Sequence, residues 1–299
     1  MMNKIWLLEH ADYPIKYNLT QDAAYVDFLL ENEEVKSWLN KLSDRVQRQD
    51  LSNIHGSHDY RYENIIGKCY LLGLNAETPS FHSLMQFFIH FLQKHITNTH
   101  NDTLTFGKMY QYRDYETVLS CYLPFLGYAD VSAVQYVVNK RTDILYEFTR
   151  QNRYDVYRND LNYPGIKKEW KPYILDPELY QDGNIAFPSI HDLILFAGSY
   201  AHLTKETQNK IETTVRWLFG DGYKAINESL YYYAPCDPAY QAKRINNKIH
   251  IHRFDTADPK EMQSLVYHCF LFSHFREAKK SAWFWHWQEK KRLILSPYC

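Results

Sequence analysis

The sequence lacks most of the features by which common protein classes are identified. Its 299 residues include only 10 glycines and 11 prolines, too few for a low-complexity or disordered chain. No apolar run reaches the roughly 18 residues that a membrane-spanning helix needs. The opening segment reaches polar and acidic residues too soon for a signal peptide. A soluble, cytoplasmic protein with no membrane span is therefore expected.

Neither the charge nor the cysteine content indicates a binding partner. There are 34 basic and 35 acidic residues and no long basic stripe, so no nucleic-acid partner is expected. The five cysteines form no CxxC pair. Cys69, Cys121 and Cys269 fall within apolar runs, where a free cysteine behaves as a small hydrophobe. The usual signatures of nucleophilic hydrolases, zinc proteases and nucleotide-binding loops are also missing.

Aromatic residues, in contrast, are abundant: 26 tyrosines, 16 phenylalanines and seven tryptophans. Tyrosine and tryptophan combine an apolar body with a polar tip, which suits the wall of an amphipathic cavity. The same surplus also fits a tyrosine-rich core and surface with no cavity.

A second abundant feature is an apolar run that ends at a glycine. Such runs span 63–72, 117–126 and 191–197, and they end at Gly73, Gly127 and Gly198. Glycine just past a helix takes the left-handed conformation that turns the chain out of the last turn. Each run therefore predicts a helix that is apolar nearly all round and covered on both sides.

A helix-starting residue and a striped helix follow each glycine. The predicted starts are Thr78 with Pro79, Asp130 and Thr204. The apolar stripes comprise Phe81, Leu84, Met85, Phe88 and Leu92; Val134, Val138, Leu145 and Phe148; and Ile211, Val215, Leu218 and Phe219. One stripe with one charged face is typical of a helix in an outer layer.

The rest of the chain extends this organisation. Asp258 with Pro259 predicts the start of a fourth helix pair, and residues 1–50 predict N-terminal amphipathic helices. Turn signals predict long loops near 154–184 and 231–255, the second containing KIHIHRF, an alternating run that favours a short strand or hairpin. We therefore predict a single all-α domain over 1–299, built from helical-hairpin repeats from residue 51 onward.

This repeat pattern resembles the α/α toroid superfamily of terpenoid cyclases and protein prenyltransferases. The matching segments are 55–59 leading into 62–74, 115–128 leading into 130–148 and, more weakly, 182–198. The resemblance implies a toroid or partial toroid, in which inner helices line a central cavity for a hydrophobic, isoprenoid-like molecule.

The catalytic motifs of that superfamily are not reproduced. The chain has no DxDD acid motif and no DDxxD metal cluster; FDTAD, with Asp255 and Asp258, is a faint likeness. Cys236 and Asp237, with His250, His252 or His268, could imitate the zinc site of the prenyltransferases, but their spacing is not diagnostic. No metal and no cofactor is predicted.

Candidate site residues come from the starts of the presumed inner helices, where the helix dipole favours anions. The predicted catalytic residues are His58, Asp59, Glu63, His191 and Asp192. The predicted ligand-binding residues are His55, Arg61, Tyr62, Tyr112, Arg113, Glu116 and Trp170. Helix capping and interhelical ion pairs would use the same residue types.

Three functions remain open at this point. The first is an enzyme, or a relic of one, that accepts a hydrophobic or anionic small molecule in an aromatic cavity. The second is a non-catalytic helical-repeat protein that binds a peptide or protein. The third is an (α/α) carbohydrate-active enzyme, which would need two facing carboxylates.

Overall fold

The structure is a computed structural model. It describes residues 4–56, 58–97, 115–180, 185–227, 230–233, 242–245, 249, 251 and 258–295, without the side chains of 232, 242–245, 288 and 290–295.

The described chain is mostly helical, which confirms the predicted all-α class in its main part. In chain order the helices are α1 Lys4–His10, α2 Tyr13–Thr20, α3 Val26–Glu31, α4 Glu33–Gln47, α5 Tyr62–Leu71, α6 Pro79–Thr97, α7 Tyr115–Ser120, α8 Ser132–Thr149, α9 Ile190–Ser199, α10 Lys205–Leu218, α11 Asp221–Ala225, α12 Pro259–Phe272, α13 Arg276–Lys280 and α14 Ala282–Leu295. Two short strands, β1 Leu230–Tyr233 and β2 Ala242–Ile245, pair antiparallel with Leu230 opposite Ile245.

The chain divides into two compact units. The first comprises 1–100, 118–135 and 288–299, and the second comprises 101–117 and 136–287. The single domain over 1–299 stays a prediction.

Two of the three predicted glycine stops are confirmed. Gly73 (φ +90°) follows α5, and Gly127 (φ +89°) follows a short 3₁₀ turn at Pro124–Leu126. A side chain at Gly73 would also collide with the Tyr17 ring, 2.9 Å from the position of a Cβ. Glycine is therefore required at this turn by both conformation and space.

Three predictions are wrong: the glycine stop at Gly198, the single helix over 117–126 and the helix start at Asp130. Gly198 lies inside α9, since the chain stays right-handed into a 3₁₀ turn at Tyr200–His202 and needs no glycine there. The run 117–126 is not one helix: α7 ends at Ser120, because Pro124 has no N–H to donate to the Ser120 carbonyl. Asp130 does not occupy the position before α8, which begins at Ser132.

The predicted helix starts at Thr204 and Asp258 are confirmed. The Thr204 hydroxyl accepts a hydrogen bond from Thr207 N at 3.2 Å, and the Asp258 carboxylate accepts one from Lys260 N at 2.9 Å. Thr78 also occupies the position before α6, where its carbonyl accepts the first helical bond from His82 N at 2.8 Å, but its buried hydroxyl has no hydrogen-bond partner among the described residues and does not cap the helix. The Thr204 and Asp258 contacts satisfy backbone N–H groups that would otherwise lack partners at the helix starts.

The two kinds of helix differ in burial, as the patterns predict. In α9, residues 191–197 are all buried, whereas α6 and α10 bury one stripe each, including Phe81, Met85 and Phe88 of α6. Helix α5 departs from the prediction, because it buries Tyr62, Ile65, Ile66 and Cys69 while Leu71 is 60% exposed.

The cysteines within apolar runs are buried, as predicted. Cys69, Cys121 and Cys269 lie in the interior and form no disulfide. Burial raises the pKa of the Cys69 thiol to about 12, so this thiol stays protonated and unreactive at neutral pH.

The long loop from residue 154 is irregular, as predicted, through residue 180. It contains 3₁₀ turns at Lys171–Tyr173 and Pro177–Leu179, and Ile174 forms an isolated bridge with Tyr231 of β1. A hairpin does form after residue 229, but it lies upstream of the predicted KIHIHRF run. Ile249 and Ile251 of that run are buried and belong to no strand.

No helix within the described ranges combines the length and apolarity required to cross a membrane.

Candidate functional site

The predicted residues between 55 and 63 lie on one loop and the helix that follows it. This loop, residues 50–61, connects α4 to α5 within the first unit. Three residues in and beside it have positive φ: Gln49 (+51°), Asn53 (+53°) and Gly56 (+130°). At Gly56 this conformation is one that side-chain-bearing residues rarely adopt, so glycine is specifically suited to that position.

His55 and Glu63 form a hydrogen-bonded pair at this site. His55 Nδ1 lies 2.7 Å from Glu63 Oε2, and the Gly56 N–H donates to the same oxygen at 3.0 Å. Both side chains are partly buried, at 24% and 18% exposure. Because an ionised carboxylate only accepts hydrogen bonds, His55 Nδ1 is the donor in this contact.

The start of α5 is bonded to the backbone of the same loop. Tyr62 N donates to the Asn53 carbonyl at 3.4 Å, and Glu63 N donates to the Ile54 carbonyl at 3.0 Å. These two N–H groups are therefore engaged within the chain, where the sequence predicted that they would face an anion. The loop is in effect fixed to the first turn of the helix.

A buried arginine of α4 holds the two ends of the loop. Arg45 is 5% exposed. Its Nη1 donates to the Tyr60 carbonyl at 2.7 Å, and its Nη2 donates to the carbonyls of Asp50 (3.1 Å) and Ser52. The Asp50 carboxylate lies 3.4 Å from Nη1. One side chain thus satisfies backbone groups that precede and follow His55.

Asp50 stays ionised in this arrangement. Burial alone would raise the pKa of its carboxyl group, but the hydrogen bonds from the Ser52 hydroxyl and N–H, with the charges of Arg45 and Arg48, hold the pKa below its ordinary value.

Three other predicted residues form the rim of the loop, where His58 and Asp59 are exposed and Arg61 is half-buried. The His58 ring stacks on Tyr60 with centroids 5.6 Å apart, and the Arg61 guanidinium lies 4.9 Å from the same ring. Arg61 Nη1 also donates to Asn53 Oδ1 at 2.5 Å. Asp59 pairs with Lys41 at 3.1 Å.

Tyr62 points into the core of the first unit. It is 1% exposed, donates to the Leu119 carbonyl at 3.1 Å and packs against Phe88 with ring centroids 4.6 Å apart. These contacts make it a structural neighbour of the pair.

In the second unit, Asp192 forms part of a buried ion pair and a helix cap. Arg141 Nε and Nη2 donate to its two oxygens at 2.7 and 3.2 Å, with both side chains at most 2% exposed. Ser189 N donates to Asp192 Oδ2 at 2.9 Å and Asp192 N donates to Ser189 Oγ at 3.3 Å, which together form a capping box. These contacts give Asp192 a structural role, and its catalytic role stays a prediction.

The remaining described candidates also lie in the second unit. Glu116 on α7 is buried and accepts a hydrogen bond from Lys140 at 2.8 Å. His191 is 2% exposed within α9. Trp170 stacks on Tyr231 at 4.9 Å, while the Lys167 ammonium lies 4.8 Å from the Trp170 ring centroid. Contacts of this kind stabilise the loop around Trp170.

Several predicted residues fall outside the described part of the chain. They are Tyr112, Arg113, Cys236, Asp237, His250, His252 and Asp255. Of the residues considered for a zinc site, His268 is described: its Nδ1 lies 2.7 Å from the Ser264 carbonyl, within α12.

Sequence reasoning missed both buried arginines, although a signal for each was present. Arg45 continues the stripe Val35, Trp38 and Leu42 of α4, and Arg141 lies between Val138 and Leu145 in the stripe of α8. An arginine on an apolar face must find buried acceptors, so its position alone points to a polar partner.

Searches against protein-family models, curated proteins and solved structures each returned no match. The toroid resemblance therefore rests on the repeat pattern of the sequence.

Proposed function

We propose that this chain is an α/α toroid-type protein that binds and converts a hydrophobic, isoprenoid-like small molecule, with His55 and Glu63 as its proton-transfer pair. The observation that carries the proposal is the 2.7 Å contact between His55 Nδ1 and Glu63 Oε2. A histidine oriented by a carboxylate is a frequent general base or acid in enzymes.

The proposed chemistry uses the tautomer with the proton on Nδ1. In that form the His55 ring takes a substrate proton at Nε2, and the Glu63 carboxylate stabilises the imidazolium that forms. The Gly56 N–H fixes the same Glu63 oxygen at 3.0 Å and so fixes its orientation. Arg61 and His58 supply positive or ionisable groups on the rim, which suits a substrate with an anionic head and an apolar body.

Binding and turnover of farnesyl diphosphate test this proposal. We expect the purified protein to bind it and release a new product, and native mass spectrometry to detect a co-purifying lipid-like molecule. His55→Gln and Glu63→Gln should lower turnover by about 100-fold or more while remaining folded, because proton transfer contributes about that much.

His90→Gln is the matched control, since His90 is an exposed histidine on α6 of the same unit. Its turnover should equal that of the unmodified protein. Full activity in His55→Gln would contradict the assigned role, and absence of both binding and turnover with prenyl diphosphates would contradict the substrate class.

The second candidate, a non-catalytic helical-repeat binding protein, is favoured by the contacts of the other acidic candidates. Asp192 is bound by Arg141, Glu116 by Lys140 and Asp59 by Lys41. If these pairs serve only stability, the protein should capture a peptide or protein ligand and show no turnover with any prenyl diphosphate.

A further inference from the structure

We propose that Arg45 is a positioning residue for the His55–Glu63 pair; this inference rests on the function proposed above. The hydrogen bonds described for Arg45 are to backbone carbonyls of the loop, and its ion pair is with Asp50. Arg45 acts through the backbone of the loop 50–61, which carries His55 to the first turn of α5.

The contacts of Arg45 join both arms of the loop. Its guanidinium donates to the carbonyls of Asp50 and Ser52, before His55, and to that of Tyr60, after it. A planar fork with two nitrogens can hold these diverging acceptors at once, and a lysine ammonium at the end of a flexible stem cannot do so in the same geometry. Arg45 therefore closes the loop at its base.

A second set of bonds transmits this closure to His55. The carbonyls of Asn53 and Ile54, directly before His55, accept from Tyr62 and Glu63 N–H. The backbone segment that carries the His55 imidazole is thus hydrogen-bonded to the first turn of α5, which carries the Glu63 carboxylate. If the base of the loop opens, the carbonyls of residues 53 and 54 move, and the His55 Nδ1 atom moves with them.

The charge of Arg45 is balanced within the same structure. Asp50 Oδ2 lies 3.4 Å from Nη1, and Ser52 N and Oγ both bind Asp50 Oδ1, at 2.8 and 2.5 Å. The carboxylate therefore orients Arg45 and is itself oriented by the loop that Arg45 holds. This reciprocal arrangement gives the loop a defined shape although it lacks regular secondary structure.

The ¹⁵N chemical shifts of the His55 imidazole test the inference, because they report which ring nitrogen carries the proton. In the unmodified chain we expect the Nδ1–H tautomer. In Arg45→Lys we expect a folded protein in which His55 loses this signature and shows the mixed tautomers of a free histidine. Arg48→Lys, at the exposed position directly after the same helix, should leave the signature unchanged.

A folded Arg45→Lys protein that retains the Nδ1–H tautomer would overturn the inference. Should that variant not fold, Asp50→Asn provides the second measurement, since it keeps the guanidinium and removes only its charged partner. Hydrogen exchange at the Gly56 amide should then accelerate several-fold, and an unchanged rate would equally overturn the inference.

Both measurements are made without substrate, so they separate this inference from the proposed function. A lost tautomer with no turnover on any prenyl diphosphate would support Arg45 as the positioning residue and refute the proposed chemistry. A retained tautomer with full turnover would refute only the role of Arg45.

Discussion

Arg45 in the first unit and Arg141 in the second are both buried on the apolar stripe of a helix, but they bind different partners. Arg141 binds one carboxylate through two parallel hydrogen bonds and joins α8 to α9. Arg45 binds chiefly neutral backbone carbonyls, with Asp50 at the partly exposed edge. The first arrangement locks two helices together, and the second gives shape to a loop. Similar burial thus serves the core in one place and a candidate site in the other.

The largest expected effect comes from breaking the ion pair of the second unit. Arg141→Met should lower the free energy of unfolding by about 3–5 kcal/mol, because it leaves the Asp192 carboxylate buried without its cation. Urea denaturation measures this loss. In the double variant Arg141→Met with Asp192→Asn, most of the stability should return, since the amide oxygen can still cap α9. A single variant as stable as the parent would contradict the structural role of the pair.

A smaller effect is expected at the loop. Arg45→Met should lower the free energy of unfolding by about 2 kcal/mol. The loss is smaller than for Arg141→Met because the carbonyls released by Arg45 belong to a surface loop and can bind water, whereas the Asp192 carboxylate stays buried. Proteolysis should then cut between residues 50 and 61 in the native state. A loss as large as that of Arg141→Met would show that Arg45 supports the core rather than the loop.

The smallest effect should depend on pH. The pKa of Asp50 is lowered in the folded protein, so its ionised form contributes stability above its unfolded value, 3.8, and this contribution is lost as the pH falls through the lower folded value. Asp50→Asn should cost about 1 kcal/mol near neutral pH, and the difference should shrink progressively below pH 3.8. A difference that stays constant into strong acid would exclude the charge of Asp50 as its cause.

Much of the helical framework is predictable from local pattern. The stripes of α4, α6, α8 and α10 follow from apolar spacing, and Gly73 and Gly127 mark turns because their conformation is local. Gly198 is misread for the same reason: a glycine permits a left-handed turn and does not enforce one. Pro124 indicates the break after Ser120, but the apolar run around it favoured the prediction of one continuous helix over 117–126.

The residues of the candidate site could be predicted from the sequence, but the contact between them could not. The sequence placed His55 and Glu63 near the start of one helix, but their contact depends on a loop whose shape is set by Arg45 of α4. That bond pattern follows no periodicity, because an arginine reaches whichever carbonyls the fold brings within its length. The partners of Asp192 and Glu116 were anticipated only in kind, as caps and interhelical ion pairs.

Sequence separation gives the loop a kinetic consequence. The carbonyls bound by Arg45 lie 5, 7 and 15 residues away along the chain, whereas 51 residues separate Arg141 from Asp192. Contacts between near neighbours close with little loss of chain entropy. The segment bearing His55 should accordingly acquire its native form early in refolding, before the distant ion pair of the second unit is made.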